Sequence, residues 1–384
     1  MRIRPVWLSA AAALAIVAAA CTAGATPTPP PATGPTVAPT TEPTTAPTEV
    51  PWKVGVVTDV GTVNDKNFNE YSFLGAKDGA AAVGAAEPPV FVPKDASEYA
   101  TGIKSFVDQG FNVIVTVGFN LTNDTATAAK ANPNIWFIGV DQGACVDENG
   151  DVDTTFSCKG DAATLLPHLI GISYQEDQAG YLAGMAAAAV SKSGVIGAIG
   201  GISLCGPCIR YIQGYELGAK AVNPNIVVKS TYVTDSDFVK AFNDPVTGKS
   251  FGKQFIQQNK VDVLFQVAGK TGNGVLDAAC EAGILAIGVD VDQHLSYPNA
   301  SACIVTSAEK HLASSVKQTI QAIAAGTAKG GDNHFGAVND GIGASPFYDM
   351  DSLVSADVKA KMTDALAAMK AGTLKTCPDT CGKL

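Results

Sequence analysis

The stretch TDVGTVNDKNFN, residues 58–69, follows the apolar run 54–57 and leads into a helix-forming segment. It carries Asp59, a glycine turn at Gly61, then Asp65, Lys66 and a single aromatic, Phe68. A strand that ends in a polar turn before a helix is where open α/β sheets place ligands, beyond the carboxyl ends of the strands. Beyond it, short β-rich runs at 113–117, 136–140, 195–199, 226–233, 263–267, 286–289 and 303–306 alternate with helical segments. Those lie at 68–82, 124–131, 178–190, 209–222, 252–259, 275–282, 312–325 and 356–371. This alternation predicts parallel sheets covered by helices. Eight strands exceed one small sheet, and the pattern restarts near Gly171. The fold class read from this is α/β, with two Rossmann-like doubly wound lobes of the same architecture.

A chain of 384 residues with 39 glycines and 46% apolar residues suits two well-buried α/β lobes. A net charge of −10 with no basic cluster excludes a nucleic-acid surface. Arg2 and Arg4, an apolar run at 8–20 and Ala18-Ala19-Ala20 before Cys21 read as a secretory signal, residues 1–20. The small residues before Cys21 resemble a bacterial lipobox, which makes Cys21 the lipidated first residue of the mature chain; an ordinary cleaved signal is the alternative. The apolar run is too short for a membrane span. Residues 21–50 are rich in Thr, Pro and Ala and form an extended linker. Setting Cys21 aside leaves eight cysteines, an even number fit for an oxidising compartment. Local pairing gives Cys145 with Cys158, Cys205 with Cys208, Cys280 with Cys303, and Cys377 with Cys381.

Six segments in order, TDVGTVNDKNFNEYSFLGAK, GISYQEDQAGYLAGMAA, GAIGG with RYIQGYELGAKAVNP, DVLFQVAGKTGNGV, AIGVDVDQ and VTSAEK, resemble the basic membrane protein family. These are bacterial substrate-binding lipoproteins of ABC transporters, with purine-nucleoside receptors among them. The resemblance implies a hinged type I periplasmic binding protein-like fold with ligand in the cleft. It implies no catalysis, cofactor or metal, a monomer, an ABC permease as partner, and an extracytoplasmic membrane location through a lipid on Cys21. Lobe 1 is expected over 51–170 plus 309–330, lobe 2 over 171–308 plus 331–384.

A nucleoside base is a flat π-system with polar edges, so its cleft wants aromatic faces and hydrogen-bonding groups at the rim. Base–aromatic stacking is worth roughly 1–3 kcal/mol per base. The resemblance assigns stacking to Phe68 and to Tyr211, where the family carries phenylalanine. Asp59, Asp141 and Asp290 each end an apolar strand, and a carboxylate accepts from ribose hydroxyls or base N–H groups. Asp290 is assigned to the ribose, Asp59 and Asp141 to the base side, Lys310 to the sugar end or a cleft carboxylate. Gly269 matches a turn whose backbone faces the ligand, with Lys270 beside it in place of a small residue. Asn67 replaces a usual serine at the ligand's edge. Each of these residues also has an ordinary reading: core aromatics, helix caps, a solvated lysine. A flat or sugar-like ligand such as riboflavin is the alternative within the same class.

Enzyme readings are weaker. Cys205-Gly206-Pro207-Cys208 is the dithiol sequence of thioredoxins and precedes a helix, as a redox pair requires, but the flanking tryptophan is absent. A thiol–disulfide oxidoreductase is kept as the rival, a local disulfide staple as the preferred reading. The glycines of the 195–201 segment lack dinucleotide spacing. The four histidines lack zinc-like pairing, no GxSxG elbow occurs, and the strand-end aspartates are too dispersed in sequence for a hydrolase metal cluster.

Overall fold

The computed structural model describes residues 51–383 except residue 156; the leader, Cys21 and the linker lie outside the described residues. Two six-stranded sheets share one plan. The first contains β1 (Val54–Val57), β2 (Val90–Phe91), β3 (Val113–Val117), β4 (Trp136–Val140), β5 (Leu169–Tyr174) and β11 (Gly331–Phe335), in the order β11-β5-β4-β3-β1-β2. The second contains β6 (Val195–Ile202), β7 (Val227–Thr234), β8 (Val263–Val267), β9 (Leu285–Asp290), β10 (Ile304–Lys310) and β12 (Ile342–Ala344), in the order β12-β10-β9-β8-β6-β7. All pairings are parallel except β10 with β12. The central strands β1, β3 and β8 are buried throughout. Helices on both faces explain their unbroken Val/Ile/Leu character, since neither side of such a strand meets water.

The expected lobe boundaries shift. Residues 171–174, expected in lobe 2, belong to β5, which pairs in register with β4 and so completes the first sheet. Residues 331–335, also expected in lobe 2, form β11 on the outer edge of that sheet. Residues 309 and 310, expected in lobe 1, end β10 of the second sheet. The chain therefore crosses between lobes after residue 174, near residue 311 and at 336–341. These crossings are bonded side by side: Gln175 N–H donates to the Phe335 carbonyl (2.9 Å) and His311 N–H to the Gly341 carbonyl (3.0 Å).

The Glu176–Val190 and Gly206–Val222 helices cross in lobe 2 almost backbone to backbone. A Cβ at Gly214 would stand 2.0 Å from the Asp177 carbonyl oxygen, and one at Gly180 would stand 2.2 Å from that of Tyr211. Glycine is needed here for space, and the contact fixes the height of Tyr211 above its sheet. Disulfides join Cys145–Cys158, Cys205–Cys208, Cys280–Cys303 and Cys377–Cys381. Among the described residues no helix is long and apolar enough to cross a membrane.

Candidate ligand-binding site

At the facing carboxyl ends of the two sheets lies a cavity that opens in part to solvent. Its walls include Asp59, Phe68, Asp141, Tyr211, Gly269, Asp290 and Lys310, so the fold gathers seven of the eight expected residues. The exception is Asn67. It is fully buried and is not among the residues lining the cavity. Its N–H donates to Asp65 Oδ1 (2.9 Å), which starts the Phe68–Ala82 helix and turns Phe68 and Asn69 toward the cavity. Asn69, which sequence reasoning passed over, lines the wall with a buried Oδ1 that has no protein partner. Asp65 also lines it, but its carboxylate already accepts from the Asn67, Asn69 and Glu70 amides and serves the helix start.

Asp59 follows β1. Its Oδ1 accepts from the Val60 amide (2.6 Å) and the Tyr99 hydroxyl, leaving Oδ2 for the cavity. Gly118, after β3, lets that carboxylate in: its φ is +103°, and a Cβ there would meet Asp59 Oδ2 at 2.4 Å. Burial pushes the Asp59 carboxyl up to about 6 against the pull of those two hydrogen bonds. Asp141, directly after β4, and Asp290, the last residue of β9, share the same left-handed conformation, φ 57° and 63°. One local device thus delivers a carboxylate from each lobe, and aspartate tolerates that conformation better than most residues.

Lys310 ends β10 among these groups. Its Nζ lies 2.5 Å from Asp141 of the other lobe, 3.2 Å from Glu176 and 3.8 Å from Asp290. It is also 5.4, 5.3 and 5.5 Å from the ring centres of Phe68, Tyr174 and Tyr211, within cation–π range. Burial opposes its charge, but the three carboxylates win and hold its pKa above the ordinary lysine value. Burial also works against Glu176, yet Lys310 and Arg210, the latter 2.6 Å away through Nε, hold it below the usual range. Asp141 is pushed up to about 6 by burial, with Lys310 pulling it back. Around Lys310 three carboxylates stand against two cations, and Asp59 adds a further carboxyl to the wall, so the cavity favours a ligand rich in N–H and O–H donors. Tyr211 donates its hydroxyl to Asp290 Oδ1 (3.2 Å) and the Ala308 carbonyl (3.3 Å), tying the ring to the same cluster. Glu176 and Tyr174 were missed in the sequence. In GISYQEDQ both lie outside every expected strand and ahead of the helix expected at 178–190, and only the β5 crossing brings them beneath Lys310.

Two α/β lobes closing on a buried cavity of aromatic rings and carboxylates define a bilobal binding protein. The description "ABC transporter substrate-binding protein PnrA-like" (Bmp) matches residues 52–371. The chain belongs to this family, one of binding proteins rather than enzymes. It is 30% identical over 253 residues to the "ABC transporter nucleoside-binding protein BmpA" of Lactococcus lactis subsp. cremoris, covering 63% of this chain and 64% of that one. The "Basic membrane protein A1" of Borrelia garinii subsp. bavariensis is 29% identical over 267 residues, 69% of this chain and 70% of that one. Among solved structures, an ABC transporter system solute-binding protein from Aeropyrum pernix K1 superposes with a TM-score of 0.71 at 21% identity, covering 86% of this chain and 94% of that one. That likeness is one of fold.

Proposed function

We propose that the chain captures a nucleoside, a purine nucleoside by preference, between its lobes and presents it to an ABC importer from the outer face of the membrane. The observation that carries this is the wall of the cavity, where Phe68 and Tyr211 come from opposite lobes and carboxylates from both lobes stand with them. In this reading the two rings hold the base by its faces, Asp59 and Asn69 meet its polar edge, and Asp290 with Lys310 takes the ribose hydroxyls. The Lactococcus relative's name supports the same ligand class. Calorimetry with adenosine, guanosine, inosine, cytidine, uridine, riboflavin and ribose tests it: purine nucleosides should bind most tightly and ribose alone weakly. Failure of every nucleoside would end the proposal. Lipid anchoring rests on Cys21 and the residues before it; Cys21→Ser should move the protein out of the membrane fraction, and its retention there would overturn the anchor.

A further inference from the structure

Of the four disulfides among the described residues, only Cys205–Cys208 lines the cavity, with Pro207 between its sulfurs' residues. Both cysteines are buried, at 2% and 5% exposure. Cys205 is the N-cap of the Gly206–Val222 helix, and its Sγ accepts from the Cys208 amide (3.1 Å). Tyr211 follows one turn along, and its hydroxyl reaches Asp290 on β9. The bond therefore closes the first turn of the helix that carries an aromatic wall and, through Tyr211, reaches a carboxylate supplied by β9 of the same lobe. A crosslink spanning four residues restricts the unfolded chain less than one closing a longer loop such as Cys280–Cys303. Its placement is better explained by what it does to the folded site.

We infer that the Cys205–Cys208 disulfide is a positioning element of the ligand site, and that ligand affinity depends on its redox state. Intact, it fixes the first helical turn and presents Tyr211 and Asp290 at one set position. Opening it takes two electrons and two protons from a dithiol, which closes its own disulfide in return; the S–S bond is replaced by two thiols in the cavity wall. The first turn then frays, Tyr211 loses its fixed height, and Asp290 loses a donor. The oxidised protein is the high-affinity form, consistent with an oxidising compartment. The affinity arm of this inference rests on the nucleoside reading; the positional arm does not.

The test uses Cys205→Ser/Cys208→Ser in the full chain, with Cys377→Ser/Cys381→Ser as control. Serine at 205 still offers an N-cap acceptor, so a change in the first turn is not the loss of the cap, and the exchange readout separates the lost crosslink from the two hydroxyls placed in the cavity wall. Two quantities are measured: adenosine affinity by calorimetry, and amide hydrogen exchange at Tyr211 and at 289–291 without nucleoside. The expected result is at least tenfold weaker adenosine binding and faster exchange at both places, with the control unchanged. Unaltered affinity in a parent that binds adenosine overturns the inference. If the parent binds no nucleoside, the proposed function falls and exchange decides: acceleration at Tyr211 and 289–291 supports the inference, acceleration confined to 205–209 or none overturns it.

Discussion

A single lysine, Lys310, faces three carboxylates and three aromatic rings. Each carboxylate is held in its charged form partly by that ammonium, so a donor-rich ligand adds to a network instead of building one. Phe68→Ala removes a ring from the wall and Asp290→Ala removes the acceptor that Tyr211 and Lys310 share. Each should weaken adenosine binding at least tenfold, about 1.4 kcal/mol, in calorimetry; unaltered affinity in both would place the site elsewhere. Asp59 permits a prediction about pH. Burial raises its folded pKa from 3.8 to about 6, so its contribution to stability is fully present below pH 3.8 and is lost as pH rises through 6. At neutral pH the charged group costs at most roughly 3 kcal/mol, at about 1.4 kcal/mol per pKa unit. Asp59→Asn removes that cost, so the variant should gain on the parent in urea midpoint between pH 4 and pH 7. A constant difference across that window would contradict the burial argument. The strand-end aspartates were readable in sequence because VVTD, FIGVD and AIGVD each join an apolar run to an acid. Asn67 was less so: it does not line the cavity, yet its buried side-chain amide has no protein partner, and where a residue at a helix start points depends on the angle at which the helix leaves the strand, here set by Asp65.

At the scale of elements, the contact between the Glu176–Val190 and Gly206–Val222 helices governs the site, because Glu176 and Arg210 sit on one and the other, beside Tyr211. A methyl group at Gly214 would collide with the Asp177 carbonyl, and neither backbone can yield without moving its helix. Gly214→Ala should cost about 1–3 kcal/mol by overpacking, read as a lowered denaturant midpoint. The same substitution should weaken nucleoside binding by displacing Tyr211. Full stability in that variant would mean the helices do not meet as described. The helices were legible because glycines and alanines recur at three- and four-residue spacing in both. Strand β11 was not, since GDNHF at an exposed sheet edge carries no apolar alternation. Strand β5 was not legible either: the expected restart at Gly171 falls inside it, and the sequence does not say which of two sheets such a segment joins. That choice is made by pairing with β4, and it moved the lobe boundary.

For the molecule as a whole, the three crossings lie beside the charge cluster: Glu176 follows the first and Lys310 precedes the second. Away from the crossings the lobes meet through contacts far apart in sequence. Asn273 Nδ2 donates to the Asp65 carbonyl (3.0 Å) across 208 positions, and Ser296 Oγ to the Lys66 carbonyl (2.9 Å) across 230. Phe119 of lobe 1 packs near Phe238 and Phe242 of lobe 2, with ring centres 6.0 and 6.3 Å apart. No local pattern announces such contacts, so the two lobes were legible in the alternation of strands and helices while the latch between them was not. The Ser296 and Asn273 side chains are not among the residues lining the cavity, so they act on ligand only through the lobe–lobe equilibrium. If ligand is retained by the closed arrangement, apparent affinity scales with the closed fraction. A hydrogen bond contributes a net 0.5–1.5 kcal/mol, so losing one should lower affinity roughly two- to twelvefold by that range. Ser296→Ala, the less disruptive change, should weaken adenosine binding within those limits. It should also raise the radius of gyration of the free protein in small-angle scattering, while a saturating nucleoside restores the parent value. Unaltered affinity together with an unaltered radius would show that the Ser296 contact carries none of the closure energy, leaving Lys310–Asp141 and the Phe119 cluster to hold the lobes together.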